Sequence, residues 1–335
     1  MPHLLDCLER IGVHRRLGLW GVTALVAFSL TAAIWLDNPT RTSAMAQPAC
    51  LGAASRDPLH PCENPALSLK VTPTPSQALL LPNAPCTLLN ASIPLCAFGV
   101  AGTGATGGAQ TIALLGDSHA EHWRGALWVA ADALNWHGFS VTHSSCQFAL
   151  AVIVASNHLQ TQCIQWTRQV IRWFARHPEI STVFTSSHAG VVAERSPGQS
   201  EEDAWVAAVT AAWAKLPPTV KHIVVIRDDP FIEAGTLPCV SSAVAQHIDA
   251  GTACAFPRET ALHLDPDVLA AERLHSPRVQ VVDLTHYFCG AQLCYPVIGG
   301  VLVYKDIFDH ITATYSATLG PYLLRDVRAL MKGRR

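Results

Sequence analysis

At 335 residues, with half of them hydrophobic, 14% charged and a net charge of -2, the chain suits one domain of about 200 to 250 residues plus extra segments. That charge balance argues against a nucleic-acid partner, because no basic stripe is present to replace phosphate counterions. The sixteen histidines are scattered, which favours surface and structural roles for most of them.

Residues 17–36, LGLWGVTALVAFSLTAAIWL, carry no charge, and at 1.5 Å per residue they match a hydrocarbon thickness of roughly 30 Å. Arg10, Arg15 and Arg16 precede this run and Asp37 follows it. The bias predicts residues 1–16 in the cytoplasm, a single membrane span and an extracytoplasmic remainder. Trp20 and Trp35 stand near the two ends, where indoles favour the interface. Cleavage after 44–46, Ala-Met-Ala, is the competing reading. It is disfavoured because the apolar run exceeds the roughly 7 to 15 residues of a signal core and DNPTRTS intervenes.

Beyond the anchor every cysteine of the chain except Cys7 remains, an even number in an oxidising space. Connectivity is not fixed by sequence. Pairing each with its neighbour gives Cys50–Cys62, Cys86–Cys96, Cys146–Cys163, Cys239–Cys254 and Cys289–Cys294, five short loops. No Cys-x-x-Cys pair occurs, so a metal reading of these thiols is poor.

Residues 37–109 are rich in Pro, Ala, Thr and Ser and read as a stalk pinned by the first two loops. Their Gly-rich end precedes a strand instead of following one, so a phosphate loop is ruled out by context. From 110 to 335 apolar strands alternate with amphipathic helices. Strands are predicted at 111–115, 139–142, 182–185, 222–226 and 279–284. Helices are predicted at 120–135, closed by Gly138, and at 162–176, 201–215, 266–274 and 312–331. Five strands in this alternation imply a parallel sheet covered on both faces, an α/β/α sandwich of the flavodoxin-like kind with ligands at the strands' carboxyl ends. Trp166 and Trp173, seven apart on one helical face, read as core.

The first strand stops at Gly116-Asp117-Ser118-His119. A serine at a strand-to-helix join sits at the end of the sheet beside the helix's free N–H groups, where an oxyanion can be received. The same tetrapeptide also suits a helix cap at Asp117 or Ser118. Near the last helix, VYKDIFDHITATYS at 303–316 holds one histidine, His310, which would serve as base or as a cap with Thr312. Asp306 lies four residues before it and Asp309 one before; in a helical turn i and i+4 share a face, which favours Asp306.

These blocks resemble the SGNH (GDSL-like) serine hydrolases, and more narrowly the extracytoplasmic SGNH domain attached to membrane acyltransferases of acyltransferase family 3. VVIRDDP at 224–230 and VVDLTHYFCGAQLCYPVIGG at 281–300 resemble that subgroup too. The resemblance implies Ser118 as nucleophile, His310 as base and Asp306, with Asp309 as the substitute, as the group orienting the imidazole. It departs from the family at the Gly-x-Asn-Asp block, for which the chain has THSSCQF and TSSHAGV. Ser118, Ser145 and Ser187 are the remaining oxyanion candidates, and Arg227 is a candidate contact to an anionic or sugar substrate, or a surface salt bridge.

His119 and His122 share a helix face but lack the His-Glu-x-x-His order of a zinc protease, so neither metal nor cofactor is expected. The implied activity is a membrane-anchored serine O-acyltransferase or acyl esterase acting on O-acyl groups of a cell-envelope glycan or glycolipid, with a separate membrane protein as a candidate acyl donor. An inactive glycan-binding or scaffolding module of the same fold is the alternative.

Overall fold

Valine, isoleucine and leucine fill both faces of the central strands, the pattern a sheet needs when helices cover it on each side. Six strands form that sheet: β1 (Leu95–Gly99), β2 (Gln110–Gly116), β3 (Trp136–Thr142), β4 (Ile180–Ser186), β5 (His222–Ile226) and β6 (Val279–Val282). Their order is β1-β3-β2-β4-β5-β6, with β1 antiparallel to β3 and every other pair parallel. The computed structural model describes residues 49–82, 86, 93–101, 109–151 and 153–332. The expected anchor at 17–36, the 44–46 site and Cys7 lie outside the described residues; among those described, no helix is long and apolar enough to cross a membrane.

Alternation along β2 separates the two cores. Ala113 and Leu115 pack against Trp166, Val170 and Trp173 of α3 (Asn157–Phe174), Trp205 and Trp213 of α4 (Glu201–Ala214) and Val268 of α6 (Pro266–Leu274). Ile112 and Leu114 point the other way, toward Leu127 of α2 (Arg124–Leu134) and Tyr315, Leu319 and Leu323 of α7 (Ala313–Lys332). Full burial of each such leucine contributes about 1.5 to 3 kcal/mol. Between α4 and α6, α5 (Thr236–Ala245) follows β5 and lies in a smaller apolar cluster with Val240 and Ala243. The helices start on caps written in the sequence: Ser156, Ser200 and Asp265 accept from the backbone N–H of Leu159, Asp203, and both Asp267 and Val268.

Three expectations need correction. The sheet has six strands, because β1 adds an antiparallel edge from a stretch read as stalk. Gly138 does not close a helix but lies inside β3 opposite Phe98, where a Cβ would meet the phenyl ring at 2.3 Å. The helix expected over 120–135 is two pieces, α1 (Ser118–His122) and α2, and Asn135 in left-handed conformation (φ 55°) ends the second.

The beginning of the expected stalk lies against the sandwich. Ala53, Leu67 and Ala78 are buried, the Ala53 N–H donates to Thr318 Oγ1 of α7, Arg325 Nη1 donates to Asp57 Oδ1 at 2.9 Å, and Thr72 bridges Val301. All five neighbour pairings of cysteine are present as disulfides.

Candidate active site

β2 ends at Gly116, whose φ of 141° falls in the range that favours glycine. A Cβ at this position would sit 2.0 Å from the Ser186 carbonyl oxygen and 2.8 Å from Ala120 Cβ. The strand therefore turns into α1 while staying in register with β4 only if residue 116 has no side chain. Gly116→Ala is expected to destabilise the fold by about 3 kcal/mol or more, measured by thermal unfolding; an unchanged midpoint would contradict this account of the turn.

Asp117 is the cap, and more. Oδ1 accepts from the His119 N–H at 2.8 Å, while Oδ2 accepts from Gln147 Nε2 at 2.7 Å and from the His188 N–H at 3.0 Å. One buried carboxylate thus ties together the loops following β2, β3 and β4. Ser118, next in the chain, is half-buried where its neighbours Asp117 and His119 are buried. With Asp117 capping the helix, the serine hydroxyl is not needed for that purpose.

The second half of the site is the loop 305–310. An antiparallel bridge between Tyr304 and Ile311 and the Lys305 N–H donating to the His310 carbonyl close it, and Thr312 caps α7 by accepting from the Tyr315 N–H. Within the loop, Asp306 presents both oxygens to His310 Nδ1, at 2.9 and 3.0 Å. Burial pushes the Asp306 carboxyl up, but hydrogen bonding and charge from His310 and the backbone N–H groups of Phe308 and His310 outweigh it. The group ends below the ordinary carboxylate range. Asp309 faces elsewhere: at φ 64° it accepts the Ile232 N–H at 2.7 Å, with Oδ2 3.8 Å from His188 Nε2.

The loop meets the serine's turn through His119. The ring centroids of His119 and His310 are 5.1 Å apart, and His119 Nε2 lies 3.0 Å from the Phe308 carbonyl oxygen. Residues almost two hundred positions apart in sequence therefore share one rim, at the carboxyl end of β2.

The remaining candidates divide. Ser187 is buried and hydrogen-bonded to Asp267, while Ser145, in left-handed conformation (φ 62°), is exposed. Arg227 Nε pairs with Asp283 Oδ2 at 3.4 Å across the ends of β5 and β6, the salt-bridge alternative anticipated for it.

Sequence reasoning missed a buried constellation of His119, His122, Asp228 and Asp229, whose donor atoms lie within 4.8 Å of one another. The signal was present in two pieces, GDSHAEH and RDDP, one at the end of β2 and one at the end of β5, adjacent only once the sheet forms. By residue type the set could hold a metal ion. Hydrogen bonds occupy both ring nitrogens of His119 and both carboxylate oxygens of Asp228, whereas His122 Nε2 and both Asp229 oxygens are buried without a hydrogen-bond partner among the described residues. His122 Nδ1 accepts the Ile311 N–H, which leaves His122 Nε2 as the protonated nitrogen, 3.3 Å from Asp229 Oδ1.

Charges follow the same geometry. Burial pulls His119 down, yet the charge of Asp228, the hydrogen bond to it and the nearby Asp229 carboxyl raise it well above the ordinary histidine value, so it is an imidazolium. Its partner Asp228, which burial would raise, is lowered by that cation. Burial holds Asp229 well above the carboxylate range, and burial followed by the nearby histidines holds His122 well below its usual value.

A mainly parallel sheet with a serine turn at one strand end and an Asp-His loop before the last helix is the architecture of an SGNH domain. The family model for the SGNH domain fused to AT3 domains matches residues 83–325, and the chain belongs to that family. Among solved structures it is similar to the periplasmic domain of the lipopolysaccharide acetyltransferase of Salmonella ser. Paratyphi A, with a TM-score of 0.52 and 14% identity over 66% of this chain and 85% of that one. No curated protein sequence matches the chain.

Proposed function

We propose that this protein is an extracytoplasmic serine O-acyltransferase or acyl esterase that works on O-acyl groups of a cell-envelope glycan through an acyl-Ser118 intermediate. The observation that carries the reading is the Asp306–His310 pair, held on a loop that lies against the turn bearing Ser118. With Nδ1 bound by Asp306, His310 has Nε2 left to take the serine's proton as Oγ attacks an ester carbonyl. The imidazolium then returns that proton to the leaving alkoxide, and Asp306 stabilises the ring while it is charged. Water as second acceptor makes the protein an esterase; a sugar hydroxyl makes it a transferase.

Membership of a family fused to AT3 domains, and the likeness to a lipopolysaccharide acetyltransferase domain, support acyl chemistry on a glycan and a membrane-embedded acyl donor as partner. Five disulfides support an oxidising compartment, and the apolar run at 17–36 supports a single-pass anchor with its N-terminus in the cytoplasm. The oxyanion is received by the backbone N–H of Ser118, helped by groups from the loops of Ser145 and Ser187 that Asp117 draws together.

Incubation with a fluorophosphonate probe tests the reading directly. Modification of Ser118, located by peptide mass spectrometry and lost in His310→Ala, is the expected result. An unlabelled Ser118 in folded protein would sink the enzyme and favour a glycan-binding module of the same fold.

A further inference from the structure

His119 has no part in the chemistry above, yet it bonds more elements of the site than any catalytic candidate. The side chain is 2% exposed. Nδ1 donates to Asp228 Oδ1 at 2.7 Å and Nε2 donates to the Phe308 carbonyl at 3.0 Å. A neutral imidazole has one N–H, and two acceptors on opposite ring nitrogens call for the cation. The rings of His188, His122 and His310 surround it at 4.4, 4.9 and 5.1 Å between centroids.

Its counterion is fixed in turn. Asp228 Oδ2 accepts the Ala189 N–H at 2.8 Å, and the Asp228 N–H donates to Asp265 Oδ2 at 2.8 Å. Asp265 in turn caps α6 with its other oxygen. A line of hydrogen bonds therefore runs from the start of α6 through Asp265, Asp228 and His119 to the carbonyl of Phe308, the residue midway between Asp306 and His310. At the tip Ile307 and Phe308 are each 65% exposed, so its backbone is held by hydrogen bonds: the Phe308 N–H donates to Asp306, the Ile232 N–H to Asp309 Oδ1, and His119 to the Phe308 carbonyl.

We infer that His119 is a positioning residue: its buried ion pair with Asp228 grips the Phe308 carbonyl and so sets the separation between the serine turn and the Asp306–His310 loop. The inference rests on the Ser118–His310 reading for its catalytic consequence, but not for its structural one. Truncating the grip leaves Ser118, His310 and Asp306 intact while freeing the loop that carries two of them.

The test uses the full chain in detergent, as wild type, His119→Phe and His119→Gln. Turnover of a chromogenic acetyl ester is measured per site titrated by fluorophosphonate, beside hydrogen exchange of the Lys305 and Ile311 amides. His119→Phe is expected to lower kcat per titrated site about 10²-fold with KM within about twofold. Exchange at Lys305 and Ile311 should quicken while amides of β2 and β4 stay protected. His119→Gln, whose amide still reaches one acceptor, should fall between, and it decides the matter if the phenylalanine variant does not fold. A kcat per site within twofold of wild type, or slower turnover with unchanged loop exchange, overturns the inference. Should wild type itself fail to label, the serine reading fails separately and the exchange data alone judge the grip.

Discussion

Replacing Ser118 with alanine is expected to lower acetyl-ester turnover by about 10⁴- to 10⁶-fold, while stability stays within about 0.5 kcal/mol of wild type. The two halves of this expectation come from different atoms. On the proposed mechanism turnover depends on Oγ, the one hydroxyl in the turn 116–119, because the covalent intermediate cannot form without it. Stability depends on Asp117, whose carboxylate caps α1 and braces the loops after β3 and β4. The serine contributes a half-buried side chain at the first helical position and little else. Retention of more than a tenth of the activity by the alanine variant, after correction for contaminating esterases, would mean that the acyl group is carried elsewhere.

Asp306→Asn and Asp309→Asn should then behave oppositely. The first is expected to reduce kcat about 10⁴-fold, the scale set by removing the orienting carboxylate of a serine triad. Asparagine at 306 can present its amide nitrogen to His310 and favour the wrong tautomer, and it has no charge to stabilise the imidazolium. At 309 the carboxylate accepts the Ile232 N–H, and asparagine both accepts through its own oxygen and tolerates the left-handed backbone there. Activity should survive within a fewfold. Asp309→Ala, by contrast, orphans that N–H at a cost of about 1 to 3 kcal/mol, visible in denaturant midpoints. Equal loss of kcat in the two asparagine variants would remove the distinction drawn between them.

A pH dependence accompanies the Asp306 pair. Its folded-state carboxyl lies below the ordinary value, so the pairing contributes stability above the unfolded pKa of about 3.9 and loses it as pH falls through the lower folded value. Protection of the Lys305 amide should therefore persist down to about pH 4 and fade on further acidification.

The parallel strands were legible because burial on both faces writes them as unbroken apolar runs, as in IALL at 112–115 and IVVI at 223–226. β1 was not, since LCAFG lies in a proline-rich stretch and has strand character only through its pairing with β3, where Gly138 makes room for Phe98. α5 escaped because TLPCVSSAVA combines proline, serines and β-branched residues, a composition with weak helical preference that only packing overrides. In the site, Ser118 and His310 carry local signatures at element ends, and the i to i+4 argument identified Asp306 as the partner of His310. The contact between His119 and Asp228 spans 109 positions. Nothing in either segment alone indicates that a histidine there meets an aspartate here, because their pairing depends on β2 and β5 both ending at the same rim.

Every disulfide joins residues between 5 and 17 positions apart. A polypeptide threaded outward from one end exposes each pair of thiols together, before the next pair emerges, so oxidation in simple order of appearance yields the native set without reshuffling. Among the described residues no crosslink spans the crossovers that set strand order, so none of the five ties one strand of the sheet to the next.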